Sequence, residues 1–162
     1  MPYPLFLDLE GSSHDEGAYP IAASWSLPDG QIKSSLIMPE DDWEDWDVGN
    51  LAARGITRDH LLDQGFSALD VIREMNLDFG DARVYIDGLD YDQELLDRLF
   101  EAYGEDPTFE LVSISRRIPE YGYERFLSYR QQLLDETGRS AYESESNVFV
   151  MLKLAEELGL ED

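Results

Sequence analysis

Asp29-Gly30 follows Pro28 between two β-prone runs, Tyr19 to Leu27 and Gln31 to Met38. Turn chemistry of this kind between such runs predicts a β-hairpin, because Asp and Gly tolerate the backbone angles that a tight reversal demands. Upstream, Pro4 to Leu9 is a short apolar run that carries Asp8, with Glu10 next and the turn-forming Gly11-Ser12-Ser13 after it. Strand, loop and hairpin in that order commit the opening segment to three antiparallel strands.

Beyond the hairpin the periodicity changes. From Pro39 to Asn50 acids gather around Trp43 and Trp46, which predicts a loop pinned to the core by its two indoles. Thr57 and Ser67 are placed as N-caps, the first of a short helix through Leu62 and the second of a longer one carrying Leu69, Val71, Ile72 and Met75. Ala82 to Ile86 reads as a buried strand, Tyr91 to Tyr103 as a helix closed by Gly104, and Phe109 to Ile114 as another strand. Two helices end the chain, one over Gly122 to Glu136 and one carrying Val148, Met151, Leu152 and Ala155 before Gly159. The order predicts an α/β chain with a mixed five-stranded sheet, three antiparallel strands and then two parallel ones, flanked by helices. It is the order of the ribonuclease H-like fold. With 162 residues, 43% of them hydrophobic, and no repeat or linker, residues 1–162 are expected to form one domain.

Charge limits the function classes. A formal net charge of −24 opposes strong nonspecific attraction to polyphosphates, which requires Lys and Arg to displace counterions. Five of the twelve basic residues, Arg116, Arg117, Arg125, Arg130 and Arg139, nevertheless fall within one segment holding only four acids. That segment predicts either a local basic face or a set of ion pairs with Glu120, Glu124, Asp135 and Glu136. The absence of cysteine excludes disulfides and thiolate-held zinc, so any metal is held by oxygen or by His14 and His60, and Mg2+ or Mn2+ suits such donors best. His14 in a polar loop and His60 on a helix face are expected in ordinary surface roles. The N-terminal segment has no basic stretch ahead of an apolar one, and nothing reaches the length of a membrane span, so the expected location is cytoplasmic, with no membrane partner.

With 36 acids in the chain, an acid-x-acid pair such as Asp8-Leu9-Glu10 recurs by chance, and position decides its meaning. Alternate residues of a strand share a face, so Asp8 and Glu10 converge if the strand forms as read. Like charges held together invite a cation, although a solvated strand end accounts for them equally. A second carboxylate source is Asp87-Gly88-Leu89-Asp90-Tyr91-Asp92, where a strand leads into a helix; acids in a first helical turn also favour the helix dipole with no ligand at all.

Together these segments resemble the DEDD 3′-to-5′ exonuclease superfamily over nearly the whole chain. Leu5-Phe6-Leu7-Asp8-Leu9-Glu10 is similar to the family's opening D-x-E strand, and Arg54-Gly55-Ile56-Thr57 stands where the family has H-G-I, with the histidine absent. Ile86 to Asp92 is similar to the second motif and makes Asp92 its acid. Trp43 and Trp46 ahead of Gly55-Ile56 resemble a subgroup of small bacterial exonuclease-like proteins. The third motif, H-x4-D, falls on Ser140 to Glu145, or one residue earlier on Arg139 and Ser144, and is degraded in both registers.

The resemblance implies Asp8, Glu10, Asp92 and Glu145 as ligands of Mg2+ or Mn2+, with Glu10 and Glu145 in catalytic roles as well. Arg116, Arg117 and Arg130 are the expected contacts to a short single-stranded RNA or DNA end. It implies a two-metal exonuclease, in which cations ~4 Å apart activate water and stabilise the departing 3′ oxygen. Loss of the third-motif histidine, which serves the attacking water, costs ~10²- to 10⁴-fold if no other base replaces it. The alternative reading is a catalytically inactive domain of the same fold that binds a protein partner or a nucleic-acid end.

Overall fold

The computed structural model describes residues 2–88 and 90–161; Leu89, part of the segment compared with the second motif, lies outside them. The chain opens with β1 (Leu5–Gly11), β2 (Pro20–Ser26) and β3 (Ile32–Leu36). The hairpin turn forms at Asp29-Gly30: Gly30 takes φ +88°, and Leu27 accepts from the Gly30 amide and donates to Gln31, each at 2.9 Å. Three helices follow, α1 (Val48–Ala53), α2 (Arg58–Gln64) and α3 (Ala68–Phe79). Then come β4 (Arg83–Ile86), α4 (Asp90–Glu101), β5 (Glu110–Ser113), a 3₁₀ turn over Ile114–Arg116, α5 (Tyr123–Thr137) and α6 (Ser144–Leu158). Among the described residues the five strands make one sheet in the order β3-β2-β1-β4-β5. The pairs β1/β2 and β2/β3 are antiparallel, and β1/β4 and β4/β5 are parallel. This is the expected ribonuclease H-like arrangement.

The caps form as read: the Thr57 side chain accepts from the His60 amide and that of Ser67 from the Asp70 amide. Trp43 is buried and stacks on Tyr19, with ring centroids 5.2 Å apart, so the acidic loop is held as expected. The loop is shorter than expected, however, because α1 begins at Val48, its N-terminus capped by Asp47, which accepts from the Asn50 amide at 3.2 Å. An Asp ahead of a single apolar anchor, Leu51, suffices for this short helix and leaves no periodicity to detect.

β1 is the central strand and is buried from Leu5 to Leu9. Leu5, Leu7 and Leu9 face the layer that contains α3 and α4, packing in one cluster with Val71, Ile72, Met75, Leu95 and Leu99. Phe6 faces the other layer with Phe126, Val148, Val150 and Met151 of α5 and α6. By strand alternation Asp8 shares that second face and is brought beneath α6.

Gly65 ends α2 where the chain pairs with β3's continuation through the bridge of Ile37 and Phe66. A Cβ there would press on Leu61 O and the backbone of Ile37 and Met38. Backbone cannot swing aside as a side chain does, so Gly65→Ala is expected to lower stability by about 1–3 kcal/mol, read as a fall in urea midpoint with an unchanged slope.

Candidate metal centre

Three acids meet at the carboxyl ends of β1 and β4, the place where open α/β sheets bind ligands. Asp8 comes from β1, Asp87 from the residue after β4, and Asp92 from the first turn of α4. Each offers a carboxylate oxygen within 4.8 Å of the others. Asp8 and Asp92 are only 6% and 4% exposed, while Asp87 is half-buried. The group lies in a cavity of about 260 Å³ that Glu10, His14, Arg54, Arg130, Tyr142 and Asn147 also line.

Local bonds fix the arrangement. The Leu9 amide donates to Asp92 Oδ1 at 3.3 Å, tying the start of α4 to β1. Asn147 Nδ2 donates to Asp8 Oδ2 at 2.9 Å and to the Ala141 carbonyl at 3.1 Å, and its Oδ1 accepts from Arg130 Nε and Nη2 at 3.0 and 2.8 Å. Tyr91 donates to the Ser13 carbonyl at 2.6 Å and passes over Gly11, where any Cβ would overlap its hydroxyl. His14 stacks on the Tyr91 ring with centroids 4.8 Å apart.

Burial, then the charges of Asp87 and Asp92, push the Asp8 carboxyl well above the usual carboxylate range, against the bond from Asn147. Burial and the Asp87 charge push Asp92 up to about 7. Burial and the neighbouring Asp92 and Asp8 push the Tyr91 hydroxyl up to about 12. Buried, mutually repelling carboxylates with oxygen donors are the ligand chemistry of a hard divalent cation, so the residues present fit Mg2+ or Mn2+.

The expected residues separate into those brought together and those kept apart. Asp8 and Asp92 meet as expected, with Asp87 as the third acid in place of a more distant one. Glu10 lines the same cavity, but one carboxylate oxygen pairs with Arg54 and the other accepts from the Ser144 amide at 2.9 Å. Glu145 is not among the three: it is exposed and lines a neighbouring depression over β2 and β3, with Ser34 and Glu143, that shares Glu10 with the cavity. Two residues along a helix rotate the side chain by roughly 200°, so Asn147 facing Asp8 turns Glu145 away. Tyr142 and Asn147, both lining the cavity, stand at the same five-residue separation as Ser140 and Glu145.

The arginines also divide. Arg130 reaches the cavity. Arg116 instead lines a different depression beside β5, and Arg117 lies over the Tyr85 ring while donating to the Glu161 carbonyl at 2.6 Å. Arg125 and Arg139 lie over Tyr121 and Phe149. Among the described residues none of the five forms an ion pair. Pairing with Glu120, Glu124, Asp135 and Glu136 is not formed among the described residues; Arg117, Arg125 and Arg139 lie over aromatic rings instead, and Arg130 bonds Asn147.

The raised pKa of Asp92 makes stability pH-dependent. Its folded value of about 7 exceeds the ordinary 3.8, so between those pH values the folded chain holds a proton that the unfolded chain has released. Stability therefore falls as pH rises through that window, at up to about 1.4 kcal/mol per pH unit. In EDTA, urea unfolding across pH 4.5 to 8 is expected to show this decline, and Asp92→Asn is expected to make it shallower, the raised Asp8 keeping the remainder, and to be the more stable protein at pH 8. An equal slope in both proteins would place the titration elsewhere.

No family model matches the sequence, and no curated protein matches it either. Solved structures do match in fold. E. coli exonuclease I in complex with a dA16 oligonucleotide superposes with a TM-score of 0.73 at 13% identity, covering 100% of this chain and 41% of that one. The structure of exonuclease I that suggests how processivity is achieved gives 0.73 at 13% over the same 100% and 42%, and a product-bound exonuclease I gives 0.69 at 14% over 97% and 43%. This chain thus spans about two fifths of the length of those proteins and shares their ribonuclease H-like fold.

Proposed function

We propose that this chain is a divalent-cation-dependent 3′-to-5′ exonuclease-like protein acting on the end of a short single-stranded RNA or DNA. The observation that carries the reading is the convergence of Asp8, Asp87 and Asp92 in one cavity that Arg54 and Arg130 also line. The fold shared with an exonuclease that binds an oligonucleotide supports it. A cavity of about 260 Å³ falls below the ~300–1,000 Å³ of pockets that enclose drug-sized ligands, and suits a chain end rather than a duplex.

The residues divide the work. Asp8, Asp87 and Asp92 hold Mg2+ or Mn2+, which supplies Lewis-acid polarisation of a phosphoryl oxygen and a lowered pKa for bound water. Arg54 and Arg130 attract the phosphate, and the negative body of the protein repels the rest of a long polyanion, favouring short substrates. Tyr142 occupies the spacing of the motif's histidine and lacks the imidazole that most often serves as a general base. Turnover is therefore expected to be slow, by ~10²- to 10⁴-fold relative to a site with its base in place. No described helix is long and apolar enough to cross a membrane, and a cytoplasmic location remains part of this reading.

A second reading follows from Tyr142 and Asn147: the site binds a nucleic-acid end with a cation and does not cut it, or uses that face for a protein partner. One assay separates these. With Mn2+ and 5′-labelled ten-nucleotide single strands of DNA and RNA, the exonuclease reading expects shortening one nucleotide at a time from the 3′ end. Cleavage should vanish in EDTA and in Asp8→Asn, and Tyr142→His should raise it at least tenfold. Mn2+-dependent retention of intact oligonucleotide decides for binding alone, and neither retention nor shortening overturns both nucleic-acid readings.

A further inference from the structure

Glu10 and Asn147 flank the three clustered acids, and the side-chain polar atoms of each already have protein partners. One oxygen of Glu10 is paired with the Arg54 guanidinium and the other accepts the Ser144 amide. Arg54 is itself held on two sides, its Nη2 also donating to the Tyr142 carbonyl at 3.0 Å while its guanidinium lies 5.8 Å from the Tyr142 ring centroid. The Arg54 and Glu10 side chains are only 18% and 14% exposed, so the pair is shielded from the water and salt that weaken surface pairs. On the opposite wall Asn147 gives Oδ1 to two Arg130 donors and Nδ2 to Asp8 and Ala141. A carbonyl oxygen with both lone pairs engaged has nothing left for a cation.

We propose that the cavity holds one divalent cation, and that Arg54 is a built-in cation that neutralises Glu10 and excludes a second metal from that wall. This rests on the reading of Asp8, Asp87 and Asp92 as a cation site. The charge arithmetic favours it. Glu10 is the acid of the cavity outside the three-carboxylate cluster, and a fixed guanidinium balances it while repelling any divalent ion brought to the same oxygens. Arg54 is thus a positioning and specificity-determining residue that sets metal stoichiometry and presents its remaining donors to a phosphate.

The test is the count of Mn2+ bound at pH 7.5, by calorimetry and by the electron-spin signal of free Mn2+. The wild-type chain is expected to bind one equivalent, which Asp92→Asn abolishes. Glu10→Gln should keep that equivalent with Kd changed less than threefold, since Glu10 is not a ligand of the bound ion. Arg54→Ala should admit a second, weaker equivalent, and Arg54→Ala combined with Glu10→Gln should return the count to one. Arg54→Gln, which keeps a donor for the Tyr142 carbonyl, repeats the measurement if the alanine variant fails to fold by circular dichroism. Two equivalents in the wild type, loss of the single ion in Glu10→Gln, or one equivalent in a folded Arg54 variant overturns the role of Arg54 and leaves the cation site standing. No bound Mn2+ in the wild type overturns the cation site, and this inference with it.

Discussion

A carboxylate buried in the central strand is the constraint around which the rest of the molecule is organised. β1 is paired on both edges and covered on both faces, so Asp8 is largely withdrawn from solvent and meets it only through the cavity. Removing an ion from water costs several kcal/mol unless partners replace the hydration. The fold responds by bringing in α6, which donates Asn147 to Asp8 and seats Ser144 against Ser24, with the two Oγ atoms 2.7 Å apart. Ser24 is the register partner of Asp8 on β2, so the polar seam between α6 and the sheet runs directly across the acid. The docking of the terminal helix and the geometry of the site are one problem with one solution.

The acids gathered around Asp8 then set the electrostatics. Asp87 and Asp92 arrive because β4 pairs parallel to β1, so the residue that follows β4 and the first turn of α4 come to Asp8. Their repulsion, combined with burial, drives Asp8 and Asp92 toward protonation in the absence of a counter-ion, a metastable charge state that a hard cation relieves. The surrounding arginines engage the neighbours of these acids: Arg54 pairs with Glu10, and Arg130 donates to the Asn147 amide oxygen. In a chain of net charge −24, these two guanidinium groups are a local exception to the overall field, and they face the same small cavity.

Chain-local physics made most of the fold legible. The Asp29-Gly30 turn, the Thr57 and Ser67 caps, and the glycines that end α4, α5 and α6 act through neighbours a few residues away, so their signals survive in one dimension. Leu5 to Leu9 announced a buried strand because a strand covered on both faces is apolar nearly throughout, and Asp8 stood out against it. α1 escaped notice because one capping Asp and one buried leucine carry too little pattern.

The site was legible in half. Asp8 and Asp92 were identifiable because each sits at a fixed offset within its own strand or helix. Asp87 was visible in the same segment, but its proximity to Asp8 depends on the pairing of β4 with β1. The residue of α6 that meets Asp8 is Asn147 rather than Glu145, although Val150, Met151 and Leu154 follow Asn147 at the same offsets that Val148, Phe149 and Leu152 follow Glu145. The first set is fully buried, whereas Phe149 is only partly so, a difference in helical face that apolar character alone does not reveal. The sequence by itself determined the strands, the helices, their order and two of the acids, because propensity, capping and periodicity act over short separations. Only the tertiary structure decided which residue of α6 meets Asp8, that Arg54 neutralises Glu10, and that Arg117, Arg125 and Arg139 turn to aromatic rings. Those contacts join residues far apart in the chain, and they are chosen by the packing of whole elements.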